Sequence, residues 1–170
     1  MLLGMGLTHA VISSPVGDLT VVRTPEGVCG LYMEVTKKPL SPERVGARDD
    51  SAADGIADQL AEYFSGERRC FDVPLDLGGT PFQRRVWDSL LRIPYADRVS
   101  YLQIATELGV PNAVRAVGAA NGSNPVSIIV PCHRVVASNG ALTGYAGGVD
   151  RKKFLLDLEE RADGARPALF

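Results

Sequence analysis

The segment from Ile128 to Val136 constrains this chain more than any other, because it sets one cysteine between apolar flanks. Its sequence is Ile-Ile-Val-Pro-Cys-His-Arg-Val-Val. Such β-branched runs are typical of buried strands, so the flanks predict an extended segment beside a pocket. A thiol there is inert unless a neighbour ionises it, and His133 and Arg134 both favour the reactive thiolate. The segment therefore predicts that Cys132 is a buried nucleophile for a small electrophile.

Composition and charge are those of an ordinary globular protein. The chain has 170 residues, of which 45% are hydrophobic and 22% charged, enough for one good core or two small ones. A net charge of −2 gives no general attraction to nucleic acid, so DNA binding would need a local basic face. No membrane span or signal-peptide pattern is visible, so we expect a cytoplasmic protein.

The cysteines and histidines are few and widely spaced. A structural zinc site needs about four clustered ligands, and the candidates include no Cys-x-x-Cys pair. We therefore expect reduced thiols and no metal. Cys29 and Cys70 are predicted to be small core side chains, and His9 a residue on the surface of a strand.

The first half has the pattern of a β-meander followed by a helix. Three β-rich segments separated by Pro and Gly turns occupy residues 8–35, which predicts an antiparallel sheet. Residues 36–52 lack an apolar face and predict a surface loop. A helix is predicted from Ala52 to Ser65, ended by Gly66. Residues 71–77 alternate but contain a proline, which predicts an edge strand or an extended linker.

The second half is predicted to be mainly helical. Thr80 can cap a helix that begins at Pro81 and ends before Ile93-Pro94, and Ser100 can cap another that ends at Leu108. Further helices are predicted at 113–120 and 151–161. The helices at 101–108 and 113–120 have the spacing of a helix-turn-helix, but an ordinary αα-hairpin has the same pattern.

The helix at 113–120 is built almost entirely of small residues, so it can approach a surface closely. Arg115 is its one long cationic side chain, which suits insertion into a groove or a base stack. A surface arginine on an alanine-rich core helix is the alternative. Asn124, in the turn that follows, links this helix to the cysteine segment.

Three other features could serve a binding site. The loop Gly144–Gly148 lets backbone N–H groups approach a ligand beside the ring of Tyr145, or it is only a flexible surface loop. Tyr101 offers a phenol that can donate a hydrogen bond. Glu159, in the last predicted helix, is a candidate partner for His133.

Together these motifs resemble the O6-alkylguanine-DNA alkyltransferase family, also called the methylated-DNA–protein-cysteine methyltransferases. The resemblance rests on Pro131–Arg134, on the segment from Arg115 to Asn124, and on the glycine loop from Gly144 to Gly148. Ser14–Gly17 resembles the start of the family's N-terminal domain and Thr80–Trp87 that of its catalytic domain. The resemblance therefore covers essentially the whole chain.

The family resemblance implies an α+β fold in two domains. Residues 1–78 would form a small N-terminal domain with an antiparallel β-sheet and a helix. Residues 79–170 would form a mainly helical C-terminal domain with a winged helix-turn-helix, which binds DNA and carries the alkyl acceptor.

The resemblance also implies direct and irreversible DNA repair in a single turnover, without a cofactor. Cys132 would accept the alkyl group of O6-alkylguanine, and also that of O4-alkylthymine. His133 would take the thiol proton through a water, and Glu159 would orient the imidazole. An alkyl carbon inside a duplex is out of reach, so the base must flip out, at a cost of about a few kcal/mol.

The remaining roles follow from the same resemblance. The partner would be double-stranded DNA, bound by a monomer through the minor groove with little sequence preference. Arg115 would fill the gap left by the flipped base, beside Ala116 and Gly118. Asn124 would hold the turn beneath the cysteine. The substrate contacts would be the phenol of Tyr101 on guanine N3, the carbonyl of Val135 on the exocyclic amine, and Tyr145 with the N–H of Ala146 on O6.

Some relatives carry a hydroxyl residue where this chain has Ala146, which here leaves only the backbone donor and affects the range of substrates. Two other functions stay open. A non-catalytic helix-turn-helix regulator would use Cys132 only for packing. A cysteine hydrolase would need a distant histidine near Cys132, and the sequence offers only His9.

Overall fold

The computed structural model describes residues 6–34 and 39–164 of the chain. The elements of the first half are β1 (Thr8–Ile12), β2 (Leu19–Arg23), β3 (Val28–Met33), α1 (Pro42–Val45), β4 (Ala47–Arg48) and α2 (Ala57–Phe64). Those of the second half are α3 (Pro81–Leu91), β5 (Val99–Ser100), α4 (Tyr101–Glu107), α5 (Val114–Gly122), β6 (Val135–Val136) and α6 (Val149–Gly164). Short 3₁₀ helices occupy Asp50–Ala53 and Cys132–Arg134. The predicted α+β fold, with a sheet in the first half and helices in the second, is confirmed.

The sheet of the first half has the strand order β3-β2-β1-β4. β1, β2 and β3 are antiparallel as predicted, with Ala10 opposite Val21 and Val21 opposite Leu31. These three side chains are buried, and they share one apolar core with Leu60 of α2 and with Ile56, which precedes that helix. One face of the meander is therefore covered by the helix that follows it.

Three predictions for the first half were wrong in detail. The predicted loop at 36–52 contains α1, β4 and a 3₁₀ helix, although residues 35–38 lie outside the described part. The helix predicted from Ala52 begins at Ala57, because Gly55 at φ +74° separates it from the 3₁₀ turn. Cys70 is exposed and Cys29 only half-buried, so neither is a full core residue.

Helices α3 and α4 of the second half begin after the capping residues predicted from the sequence. The Thr80 hydroxyl oxygen accepts a hydrogen bond from the Gln83 N–H, and the Gln83 side-chain oxygen accepts one from the Thr80 N–H, which together form a capping box. Ser100 and Gln103 repeat this arrangement at the start of α4. The last helix is longer than predicted at both ends. The winged part of the helix-turn-helix stays a prediction.

The predicted strand around the cysteine was wrong over its first half. Ile128–Val130 form a turn, and Ile128 adopts a left-handed φ of 72°, which is unusual for a β-branched residue. The Asn124 side chain accepts from the Val126 N–H (3.0 Å) and donates to the Val130 carbonyl (2.8 Å). These bonds close a compact turn, and only β6 is extended, parallel to β5.

The two halves of the chain meet in the interior. The N–H of Leu31 donates to the Pro125 carbonyl (2.9 Å), and the N–H of Ser127 donates to the Leu31 carbonyl (3.2 Å). One apolar core includes residues from both halves. The domain boundary at 78/79 stays a prediction. Within the described residues, no helix is long and apolar enough to cross a membrane.

Candidate active site

Cys132 begins the 3₁₀ helix after Pro131 and is only 4% exposed. Burial raises the pKa of its thiol, although the Asn124 side chain, the Lys152 ammonium and the N–H groups of Cys132 and His133 lower it in part. The net shift is upward, so the thiol stays protonated at neutral pH. Reactivity therefore requires a base close to the sulfur.

His133, the next residue in the chain, is the candidate for that base. It is fully buried, and its Nε2 lies 2.7 Å from Oε1 of Glu159. Burial lowers the pKa of His133, and the nearby carboxylate offsets this only in part. The imidazole is therefore neutral. Its Nδ1 has no hydrogen-bond partner among the described residues, which leaves a nitrogen that can accept a proton.

Glu159 accepts hydrogen bonds from residues in several parts of the chain. Its carboxylate receives hydrogen bonds from the Tyr63 hydroxyl (2.8 Å), the Ala96 N–H (3.1 Å) and the Arg134 guanidinium (2.9 and 3.0 Å), besides His133. Burial alone would raise its pKa, but the hydrogen bonds and charges of His133 and Arg134 lower it from 4.5 to about 2. Glu159 is therefore ionised and fixed, and it bonds His133, the residue next to Cys132 in the chain.

Lys152, which the sequence analysis missed, is also part of this site. It is fully buried, and its ammonium donates to the carbonyls of Val135 and of Thr143 (3.0 Å). Burial lowers its pKa, and the negative charge that Cys132 can carry raises it. A lysine in an Arg-Lys-Lys run gives no local signal of burial. Only the packing of α6 against the cysteine turn identifies it.

A cavity of about 530 Å³ lies between the two halves of the chain. Its walls include Gly118 of α5, Asn124 and Ala146 from the predicted site, and Tyr32 and Met33 of β3, which the sequence analysis did not single out. A base-sized ligand fits such a volume. The first half of the chain thus contributes to the cavity wall.

Cys132, Tyr101 and Tyr145 are not among the described residues that line this cavity. The Tyr101 hydroxyl donates to the Thr143 carbonyl (3.2 Å), which Lys152 also contacts. Tyr145 is buried, while Arg115 and Ala116 are exposed on α5. Among the described residues no group of three or more His, Cys, Asp or Glu side chains is placed to hold a metal ion.

Family models match both halves of the chain. The model described as 6-O-methylguanine DNA methyltransferase, ribonuclease-like domain, matches residues 7–77, and the DNA binding domain of the same family matches residues 81–161. The chain belongs to the 6-O-methylguanine DNA methyltransferase family. A Mycobacterium tuberculosis relative in this family, named methylated-DNA–protein-cysteine methyltransferase, is 48% identical over 163 residues, which are 95% of this chain and 98% of the relative.

Other members of the family agree in sequence and in structure. A relative of the same name from Methanosarcina acetivorans is 43% identical over 151 residues, which are 89% of this chain and 97% of the relative. A crystal structure of Mycobacterium tuberculosis OGT in complex with DNA matches with a TM-score of 0.87 at 48% identity, covering 91% of this chain and 94% of that one. The likeness therefore extends over the whole fold.

Proposed function

We propose that this protein repairs DNA by transferring the alkyl group of O6-alkylguanine, and also of O4-alkylthymine, to Cys132. The buried thiol beside the neutral His133 and the ionised Glu159 is the observation that carries this proposal. Relatives in the family are named methylated-DNA–protein-cysteine methyltransferases, and one was crystallised with DNA. The protein is a single-turnover enzyme.

The reaction begins with ionisation of the thiol. The Cys132 proton passes through a water to Nδ1 of His133, and Glu159 stabilises the imidazolium that forms. The thiolate then attacks the alkyl carbon from the side opposite O6. The S–C bond forms as the C–O6 bond breaks, and the electron pair moves onto the guanine. The thioether product is stable, so each molecule reacts once.

Recognition of the guanine uses two phenols, a backbone N–H and a backbone carbonyl. Tyr101 exchanges its bond to the Thr143 carbonyl for guanine N3, and the N–H of Ala146 with Tyr145 contacts O6, so that the departing guanine is stabilised. The Val135 carbonyl accepts from Lys152, and a carbonyl oxygen has a second lone pair with which it can accept from the exocyclic amine. Each of these contacts favours an extruded guanine over a stacked one.

DNA binding is assigned to the exposed face of α5. Ala116 and Gly118 allow a close approach in the minor groove, and Arg115 fills the space left by the flipped base. A helix with one long side chain reads little sequence, so a monomer binds duplexes with little preference. We place this activity in the cytoplasm, with Asn124 holding the turn between α5 and the nucleophile.

The test is mass spectrometry after incubation with a duplex that contains O6-methylguanine. We expect one added methyl group on the peptide that contains Cys132, and none in the Cys132→Ala variant. Cys29→Ser and Cys70→Ser are matched controls and should react like the parent. An unmodified parent would favour the non-catalytic regulator, and repeated turnover on a thioester would favour the hydrolase.

A further inference from the structure

We infer that Tyr63, in the first half of the chain, is a positioning residue for the alkyl transfer, acting through Glu159 on His133. The inference rests on the proposed function, and it makes the first half part of the reaction machinery. Tyr63 and Glu159 are 96 residues apart, and the hydrogen bond between them crosses from one half of the chain to the other.

Tyr63 and His133 share one oxygen of the Glu159 carboxylate, which also accepts from Nη2 of Arg134 at 2.9 Å. The Tyr63 hydroxyl donates to Oε1 of Glu159 at 2.8 Å, and Nε2 of His133 lies 2.7 Å from the same atom. Each donor draws electron density from that oxygen, so each weakens the bond that the other can form. The phenol therefore limits how strongly Glu159 attracts a proton onto the imidazole.

The Tyr63 ring is fixed by its neighbours. Tyr63 is fully buried, and its ring centroid lies 5.4 Å from those of Phe64 and Phe71 and 6.3 Å from that of Tyr95. The hydroxyl cannot turn to another acceptor without displacing these rings. Burial and the charge of Glu159 raise the pKa of Tyr63 well above its usual value, so the phenol remains a neutral donor.

A hydroxyl in this position needs a reason beyond packing. Phenylalanine would fill the same aromatic cluster, and a buried hydroxyl is costly unless it is hydrogen-bonded. Glu159 already has the Arg134 guanidinium and the Ala96 N–H, so its charge is satisfied without Tyr63. The hydrogen bond from Tyr63 therefore acts mainly on Oε1 of Glu159, the oxygen that His133 also contacts.

The electrostatic surroundings of the pair are fixed by other groups. The charged and titratable side chains that act on Glu159, His133 or the adjacent ring are Arg134, Lys152, Tyr95, Tyr145, Arg69 and Asp163. Replacing Tyr63 by phenylalanine changes none of these charges. A change in the protonation of His133 can therefore be assigned to the lost hydrogen bond.

The experiment compares the parent with Tyr63→Phe and with Tyr95→Phe. Tyr95 belongs to the same aromatic cluster, and its hydroxyl has no hydrogen-bond partner among the described residues, which makes it a matched control. The single-turnover rate of methyl transfer from an O6-methylguanine duplex is measured as a function of pH. A nuclear magnetic resonance titration of His133 is recorded on the same proteins.

Tyr63→Phe should make His133 easier to protonate. The midpoint of the acidic limb should rise by roughly half to one pH unit, and rates below it should fall about three- to tenfold. The pKa of His133 should rise by the same amount, and Tyr95→Phe should leave both unchanged. Fluorotyrosine at position 63, a stronger donor of the same shape, should move the midpoint downward. This second variant decides the matter if Tyr63→Phe does not fold.

Two results would overturn the inference. One is an unchanged midpoint in Tyr63→Phe, even with a uniformly lower rate, because that is the signature of a structural role alone. The other is an equal shift in Tyr95→Phe. If the parent itself transfers no methyl group, the proposed function fails instead, and the titration of His133 still decides whether Tyr63 tunes the imidazole.

Discussion

Glu159 is the residue of the site whose ionisation depends most on charged and hydrogen-bonding neighbours. Its pKa is lowered in the folded state from 4.5 to about 2, so the ionised form stabilises the fold above pH 4.5. This contribution, about 3 kcal/mol, is lost as the pH falls from 4.5 to about 2. The protein should therefore lose stability steeply in that window.

The variant Glu159→Gln isolates this effect. It leaves the Arg134 guanidinium buried without its counter-charge, so its free energy of unfolding at neutral pH should drop by about 3 kcal/mol. Its stability should then depend less on pH between 4.5 and 2 than that of the parent. Urea unfolding at a series of pH values measures both. Glu160→Gln, on the exposed neighbour, is the control, and identical acid profiles for the parent and Glu159→Gln would contradict the prediction.

The residues of the candidate site were predictable from sequence to different degrees. Cys132 and His133 are neighbours in the chain, so one apolar segment with a Pro-Cys-His-Arg centre indicates both. Tyr63 and Lys152 were missed, because their burial follows from contacts with residues distant in sequence. A tyrosine in an amphipathic helix is typical of a core. Nothing local shows that its hydroxyl reaches a carboxylate.

Helix α5 carries the exposed Arg115, whose proposed role in DNA binding can be tested separately from alkyl transfer. Trp87 donates from Nε1 to the Ala120 carbonyl (2.9 Å), which holds α5 against α3, and Arg115 lies on the opposite, exposed face. In the proposed complex the Arg115 guanidinium contacts DNA and takes no part in the hydrogen bonds around Glu159.

Arg115→Ala should therefore weaken duplex binding without affecting alkyl transfer from a free base. We expect about a tenfold loss in affinity for duplexes of any sequence, because the side chain contacts the helix without reading bases. The reaction with free O6-benzylguanine should be unchanged. Fluorescence anisotropy and single-turnover rates provide the two measurements. Arg161→Ala, on α6, is the matched control, and a parallel loss in both assays would place Arg115 in the reaction site instead.

Helix starts were predictable where a capping residue marks them, but the turn at Ile128–Val130 was not. Thr80 and Ser100 cap their helices as predicted, because a capping box is a local interaction. The sequence predicts a strand at Ile128–Val130, because β-branched residues favour an extended backbone. The Asn124 side chain bends this run into a turn, and such a bond depends on the three-dimensional path of the chain.

The whole molecule should unfold as one unit, although the family models divide it into two. A single apolar core includes side chains from both halves, and the Leu31 backbone pairs with Pro125 and Ser127. Cooperative unfolding is expected when the parts share their buried surface. Fluorescence of Trp87, the one tryptophan in the sequence, reports on the second half, and far-ultraviolet circular dichroism reports on all elements.

The two signals should change at the same urea concentration. Leu31→Ala, which empties part of the shared core, should lower both midpoints together, with a loss of about 2 to 5 kcal/mol. The exposed Val11→Ala on β1 is the control and should change them little. Separate transitions for the two signals would show that the halves unfold independently.

The position of α6 also affects the order in which the site is assembled during synthesis. Glu159 and Lys152 both lie on this helix, after Cys132 in the chain. A ribosome that has just added the cysteine has yet to produce the carboxylate and the ammonium that act on it. A nascent or prematurely terminated polypeptide that ends before α6 therefore carries Cys132 and His133 without the carboxylate that orients the imidazole, and we expect it to react with a lesion more slowly than the whole protein.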